Sequence, residues 1–331
     1  MYRTKRFQER VTAGHFTLPV AMFISAVCWL LGSILLPEAD ALRTHSLLWQ
    51  PLDEVHLPMW LYRLVSFVLY GLIGYSLVAF NNAFAIIRMR ASVQTSVFFL
   101  LIAVCPVLHT LYIGDFSALF FLVGLYFLFA GYQRQRPSGY LFYAFLFLGV
   151  GSLVFPKLTF FAPLFWIGAY KFQALSWRSF FASVVGWAVP YWFLLGHAYF
   201  YGQMELFRSP LQDLVTFVPM WIGLQVWELC TLILLLVLYL VSAGHCIVAG
   251  YDDKIRTRSY LNFMIFFCAY TFIYIGLQPD TCVELLPILM IGVSFLAGHL
   301  FVLAHSRLSN VFFICMLVAF IVAFIVNLIN Y

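Results

Sequence analysis

The chain of 331 residues is 64% hydrophobic and 20% aromatic yet only 9% charged, with a formal net charge of +5. A soluble globular protein carries about 25% charged residues, so this composition excludes a water-soluble fold and implies a membrane protein surrounded by lipid. With no basic patch interleaved with aromatics, nucleic acid is excluded as a partner.

The N-terminus, MYRTKRFQER, is basic and precedes the apolar run 16-FTLPVAMFISAVCWLLGSILLP-37. That run is longer than the roughly 7 to 15 residues of a signal-peptide core and no A-x-A site follows it, so a retained signal anchor is expected over residues 17–36. Further apolar runs, matched to a hydrocarbon core of about 30 Å, predict helices over 61–83, 95–113, 116–132, 139–155, 158–171, 180–199, 221–243, 260–276, 284–303 and 309–329. The segment 158–171 is short and is expected to be tilted or half-inserted. The expected fold class is all-α, a polytopic membrane protein with about 11 transmembrane helices. With no long polar insertion, residues 1–331 form a single transmembrane domain.

Charge sets the expected orientation. If the N-terminus is inside, fourteen of the eighteen Lys and Arg residues fall on that face, and only Arg43, Arg63, Lys157 and Arg208 fall on the other. Such a bias places the N-terminus in the cytoplasm. Ten of the thirteen acids fall in or beside the outer loops, which makes the outer face the expected seat of polar chemistry.

Two outer segments stand out. The first loop, 37–60, holds 47-LLWQPLDEVHLPMW-60, where Pro51 and Pro58 bracket Asp53, Glu54 and His56. Neighbouring carboxylates in a partly dry site repel and share a proton, which suits a general base or a cation site. Asp53 and Glu54 are therefore the catalytic candidates, with His56 as helper; a divalent cation is compatible with them, though no cofactor is required. The second segment, 200–220, contains 209-SPLQ-212. This reads as an N-cap at Ser209, Pro210 at the first helical position and Gln212 as the capping-box partner, opening an interfacial helix with Leu211, Leu214, Val215 and Val218 on its apolar face.

Arg208 and Lys157 are candidate phosphate contacts, since a guanidinium can hold a phosphate bidentately, and snorkelling to the interface is the structural alternative for both. Asp115, in 112-YIGDFS-117, is either a substrate contact or a helix cap. Glu228 is expected about two turns inside its span, where a carboxylate marks function or a buried partner. His109, His197 and His299 are expected to be isolated packing residues, and Asn81 and Asn82 to bond to neighbouring helices. The seven cysteines show no CxxC and no metal-type Cys/His spacing, so they are expected to be small core residues and no metal ligand is assigned.

The stretches 80–140, 145–170 and 178–194 carry Asn82 at a helix end, Pro106, a G-x-x-S-L segment from Gly149 to Leu153, and Arg178 followed by Gly186, Pro190 and Tyr191. In these motifs residues 80–200 resemble an uncharacterised family of multi-pass inner-membrane proteins from Bacteroidota, which implies no assigned activity. The layout is also similar to the membrane module of GT-C glycosyltransferases, which take sugars from polyprenyl-phosphate carriers on the outer face. That resemblance implies an acid in the first outer loop, where Asp53 and Glu54 stand, and bases for the carrier phosphate, a role open to Arg208 or Lys157. The chain departs from those enzymes in its short first loop and in lacking a large outer domain. Glycosyl transfer on a polyprenyl-phosphate-linked substrate in envelope biogenesis is the leading expectation. A non-enzymatic scaffold or assembly factor is second, and a transporter or flippase centred on Glu228 is third.

Overall fold

The computed structural model describes residues 7–36, 58–87, 92–217, 224–304 and 306–330. Among them are thirteen α-helices and four 3-10 segments, with no strand. Eight helical segments are long and apolar enough to cross a membrane, which makes the chain a multi-pass helical membrane protein.

The described residues cluster into two compact units. In the first lie α1 (Phe7–Thr12), α2 (Thr17–Leu35), α3 (Met59–Phe84), α4 (Val93–Val104), α10 (Val226–Ala249), α11 (Ile255–Leu277), α12 (Cys282–Leu303) and α13 (Arg307–Asn330). The second holds α5 (Ile113–Ala130), α6 (Ser138–Val154), α7 (Ala162–Lys171), α8 (Trp177–Phe200) and α9 (Met204–Val215).

The first unit is organised around α12, which is buried without interruption from Leu285 to Val302. A helix apolar on every side can sit only in the middle of a bundle, and α12 packs on α4, α10 and α11. Close approach to α11 needs a small residue at Gly292, where a Cβ would lie 2.5 Å from both the Phe267 ring and Cys268 Sγ. Around this centre α2, α10 and α13 expose apolar side chains such as Phe23, Ile34, Val237 and Ile321, as lipid-facing helices do.

Polar residues join these helices at defined points. Asn327 Nδ2 on α13 donates to the Val104 carbonyl at the end of α4 (2.8 Å) and to Thr231 Oγ1 on α10 (3.0 Å). Arg256 at the start of α11 donates to the Phe84 carbonyl, satisfying an orphan acceptor at the C-terminus of α3. Asn81, expected to bond another helix, instead accepts from the Ile87 N–H (2.9 Å) and closes the end of its own helix. A short amide side chain one turn from a helix end finds the local unpaired backbone before it finds a neighbour.

In the second unit α6 crosses α8. A Cβ on Gly149 would lie 2.7 Å from the Trp187 carbonyl, and one on Gly186 would collide with the Phe142 carbonyl. Tyr191 donates to Ser152 Oγ at 3.0 Å across the same contact. The motif residues Gly149, Ser152, Gly186, Pro190 and Tyr191 are thus the packing surface of one helix pair.

Each span expected from hydropathy has a helical counterpart, but two are interrupted. The helix expected over 95–113 ends at Val104, where Cys105 is extended (φ −109°, ψ 91°) and Pro106–His109 form a 3-10 turn. Proline forces the residue before it out of the α region, and Phe155 before Pro156 repeats the break ahead of the short α7.

Candidate functional site

Asp53, Glu54 and His56 lie outside the described residues. The other candidate site residues are placed, and both acids among them, Asp115 and Glu228, serve their own helices. Asp115 is fully buried in the first turn of α5, where Oδ2 accepts from the Tyr112 N–H at 3.1 Å. The Asp115 N–H donates in turn to the Tyr112 carbonyl, so the capping alternative accounts for its position.

Glu228 was expected two turns inside a helix, but α10 begins at Val226, which puts Glu228 in its first turn. Its Oε2 accepts from the Gln225 N–H at 2.7 Å. A carboxylate here satisfies an unpaired donor and meets the positive end of the helix dipole.

The helix carrying Arg208 also begins earlier than expected. Gly202, at φ +68°, ends α8 by letting the Gln203 N–H reach back to the Ala198 carbonyl (2.8 Å), and α9 starts at once at Met204. Ser209 and Pro210 are therefore buried inside α9 rather than capping it. The early start adds half-buried Met204, Leu206 and Phe207 to the packed face. Leu211 and Val215, expected on the apolar face of an interfacial helix, are exposed at 38% and 72%.

Arg208 is exposed on α9, along with Glu205 and Gln212. Lys157 is half-buried in the 3-10 turn Pro156–Phe161, on which α9 packs. The second unit thus brings two of the bases expected on the outer face onto neighbouring elements. Asp115 belongs to the same unit, whereas Glu228 belongs to the first.

His109 and His197 behave as packing residues, stacked on Trp29 at 4.0 Å and tilted against Tyr201 at 4.6 Å. His299 is not isolated. Its Nε2 lies 3.0 Å from Asp253 Oδ2 and its Nδ1 lies 3.4 Å from Cys246 Sγ. His245, next to Cys246 on α10, brings a ring nitrogen into the same group, and one ligand atom from each of His245, Cys246 and His299 lies within 4.8 Å of the others. This cluster in the first unit has no local motif. The only sequence cues are the adjacent pair His245-Cys246 and the acids seven residues further on, with His299 more than fifty residues away from Cys246.

No family model, curated protein or solved structure matches the chain.

Proposed function

We propose that the chain is an inner-membrane protein with a cytoplasmic N-terminus and eleven passes, acting in the manner of a GT-C glycosyltransferase on a polyprenyl-phosphate-linked substrate at the outer leaflet. The observation that carries this reading is the packing of α9 on the Pro156–Phe161 turn, which puts Lys157 on an element neighbouring the helix that bears Arg208 and the exposed Leu211 and Val215. A base pair next to apolar side chains suits a ligand that is anionic at one end and lipid at the other.

In the proposed reaction Asp53 or Glu54 takes the proton of an acceptor hydroxyl, whose oxygen attacks the anomeric carbon. The bond from that carbon to the carrier phosphate breaks, and the phosphate leaves with the electron pair against Arg208 and Lys157. His56 orients the carboxylate. Electrostatic support of the leaving group requires no covalent enzyme intermediate.

The scaffold reading is favoured by one specific observation: Asp115 and Glu228 are both engaged as helix caps. The same contact gives Glu228, on which the transporter reading depends, a structural role.

The test uses full-length protein in proteoliposomes containing polyprenyl phosphate and its sugar-linked form. The double variant Arg208→Ala/Lys157→Ala is expected to lose carrier binding at least tenfold, about 1.4 kcal/mol, in a salt-dependent way. Asp53→Ala/Glu54→Ala should retain binding while losing transfer. Unchanged carrier binding in the first variant together with unchanged transfer in the second would leave the scaffold reading.

A further inference from the structure

We propose that His245, Cys246 and His299 form a binding site for a divalent transition-metal ion of the zinc type, oriented by Asp253. The four residues come from the last turn of α10, the α10–α11 connection and the last turns of α12, all within the first unit. They stand where Lys254, Arg256 and Arg258 follow directly in the chain, the end that the charge pattern assigns to the cytoplasm.

The roles follow from which atom faces which. With Asp253 Oδ2 at 3.0 Å, His299 Nε2 carries the proton and donates it to the carboxylate. The Nδ1 lone pair is then left pointing toward Cys246 Sγ, 3.4 Å away. A carboxylate behind a histidine whose other nitrogen faces a sulfur is the arrangement that fixes a ligand's tautomer and raises its basicity. The third member, His245, has a buried Nδ1 with no hydrogen-bond partner. A simple packing cluster gives that nitrogen nothing to do, whereas a metal ion does.

The spacing is close to what a tetrahedral ion imposes. Bonds of about 2.3 Å to sulfur and about 2.0 Å to nitrogen at the tetrahedral angle put S and N roughly 3.6 Å apart. The Cys246–His299 distance is already close to that value, and from within the 4.8 Å group His245 closes the site by a shift of at most about 1.5 Å. On binding, the Cys246 thiol proton leaves to solvent, the S–metal bond forms, and His299 Nδ1 exchanges the thiol for the ion.

Charge selects a divalent ion. A 2+ ion is balanced by one thiolate and one carboxylate, so the assembled site is neutral, as burial demands: Cys246 is 3% exposed and His299 is fully buried. Thiolate with imidazole is a ligand set for zinc-like ions rather than for magnesium or calcium. Three protein ligands leave a fourth position for a water molecule. The same contacts could instead describe a thiol nucleophile activated by a histidine, but the burial of Cys246 leaves a substrate no approach.

The experiment uses untagged full-length protein in detergent, stripped with chelator and titrated with Co2+ as an optical stand-in for zinc. Wild type is expected to bind one Co2+ per chain with a thiolate-to-metal charge-transfer band and the strong visible bands of four-coordinate cobalt, both displaced by Zn2+. Cys246→Ser and His245→Ala, checked for monodispersity, should lose the charge-transfer band and the tight binding respectively. Asp253→Asn should weaken binding about 10- to 100-fold while leaving the spectrum's shape. Absence of the thiolate band in wild type overturns the site whatever the variants do. So does a band that survives in Cys246→Ser, or rapid alkylation of Cys246 that Zn2+ does not slow.

Discussion

The imidazole of His299 and the carboxylate of Asp253 stand 3.0 Å apart with side chains 0% and 1% exposed. A donor at that depth cannot turn to water, so its partner sets its cost. Replacing Asp253 by Asn keeps an acceptor of the same reach, and the loss should stay within about 1 kcal/mol; Asp253→Leu strands the ring N–H and should cost about 1–3 kcal/mol. Chemical denaturation in detergent orders the two variants. Equal losses would mean that the contact contributes only packing.

The α6–α8 crossing gives a sharper contrast. Tyr191→Phe removes hydrogen bonds to Ser152, and such bonds between membrane helices average about 0.6 kcal/mol. Gly186→Val instead drives a side chain into the Phe142 carbonyl, which is backbone and gives way only by separating the helices. Overpacking of this kind costs about 1–3 kcal/mol or more, so Gly186→Val should be the more damaging change by thermal unfolding. A tolerated Gly186→Val would show that the two helices slide apart freely.

How much of this was legible in the sequence follows from the range over which each cause acts. Apolar length is a local property, and every expected span met a helix, although Pro106 and Pro156 each cut one short. The neighbouring prolines were readable, but whether a pre-proline residue bends or ends a helix depends on what packs around it. Helix starts shifted where an adjacent turn set them: the left-handed Gly202 let α9 begin at Met204, which puts Ser209 inside it. The late start of α10 at Val226 turned Glu228 from an intramembrane carboxylate into a cap. The His299 cluster was hidden for a different reason. Its members are 46 and 53 residues from their partners, and only the packing of α12 against α10 brings them together.

Glu228 permits a decisive pair of variants. If its role is to accept from the Gln225 N–H, Glu228→Gln retains an acceptor and loses only the charge at the helix N-terminus, about 0.3–1 kcal/mol. Glu228→Ala should lose about 0.5–2 kcal/mol, the range for removing a cap. Both variants should keep wild-type function in cells whenever they accumulate to wild-type levels. A Glu228→Gln chain that accumulates normally yet fails in growth would show a role for the charge beyond capping, and the transport reading would return.

Orientation makes the last prediction. Arg208 is one of four bases assigned to the outer face, whereas Lys254, Arg256 and Arg258 cluster in one connection assigned to the inner face. Because short loops rich in Lys and Arg resist translocation, the two connections should face opposite compartments. A reporter enzyme that folds only outside the cytoplasm should be active when inserted after Gln203 of the full chain and inactive when inserted after Tyr251. Replacing Lys254, Arg256 and Arg258 together by Gln should raise activity at the second position, because retention there is attributed to those charges. Activity after Tyr251 with none after Gln203 would invert the topology, moving Arg208 and Lys157 away from the outer leaflet and removing the carrier-phosphate role proposed for them.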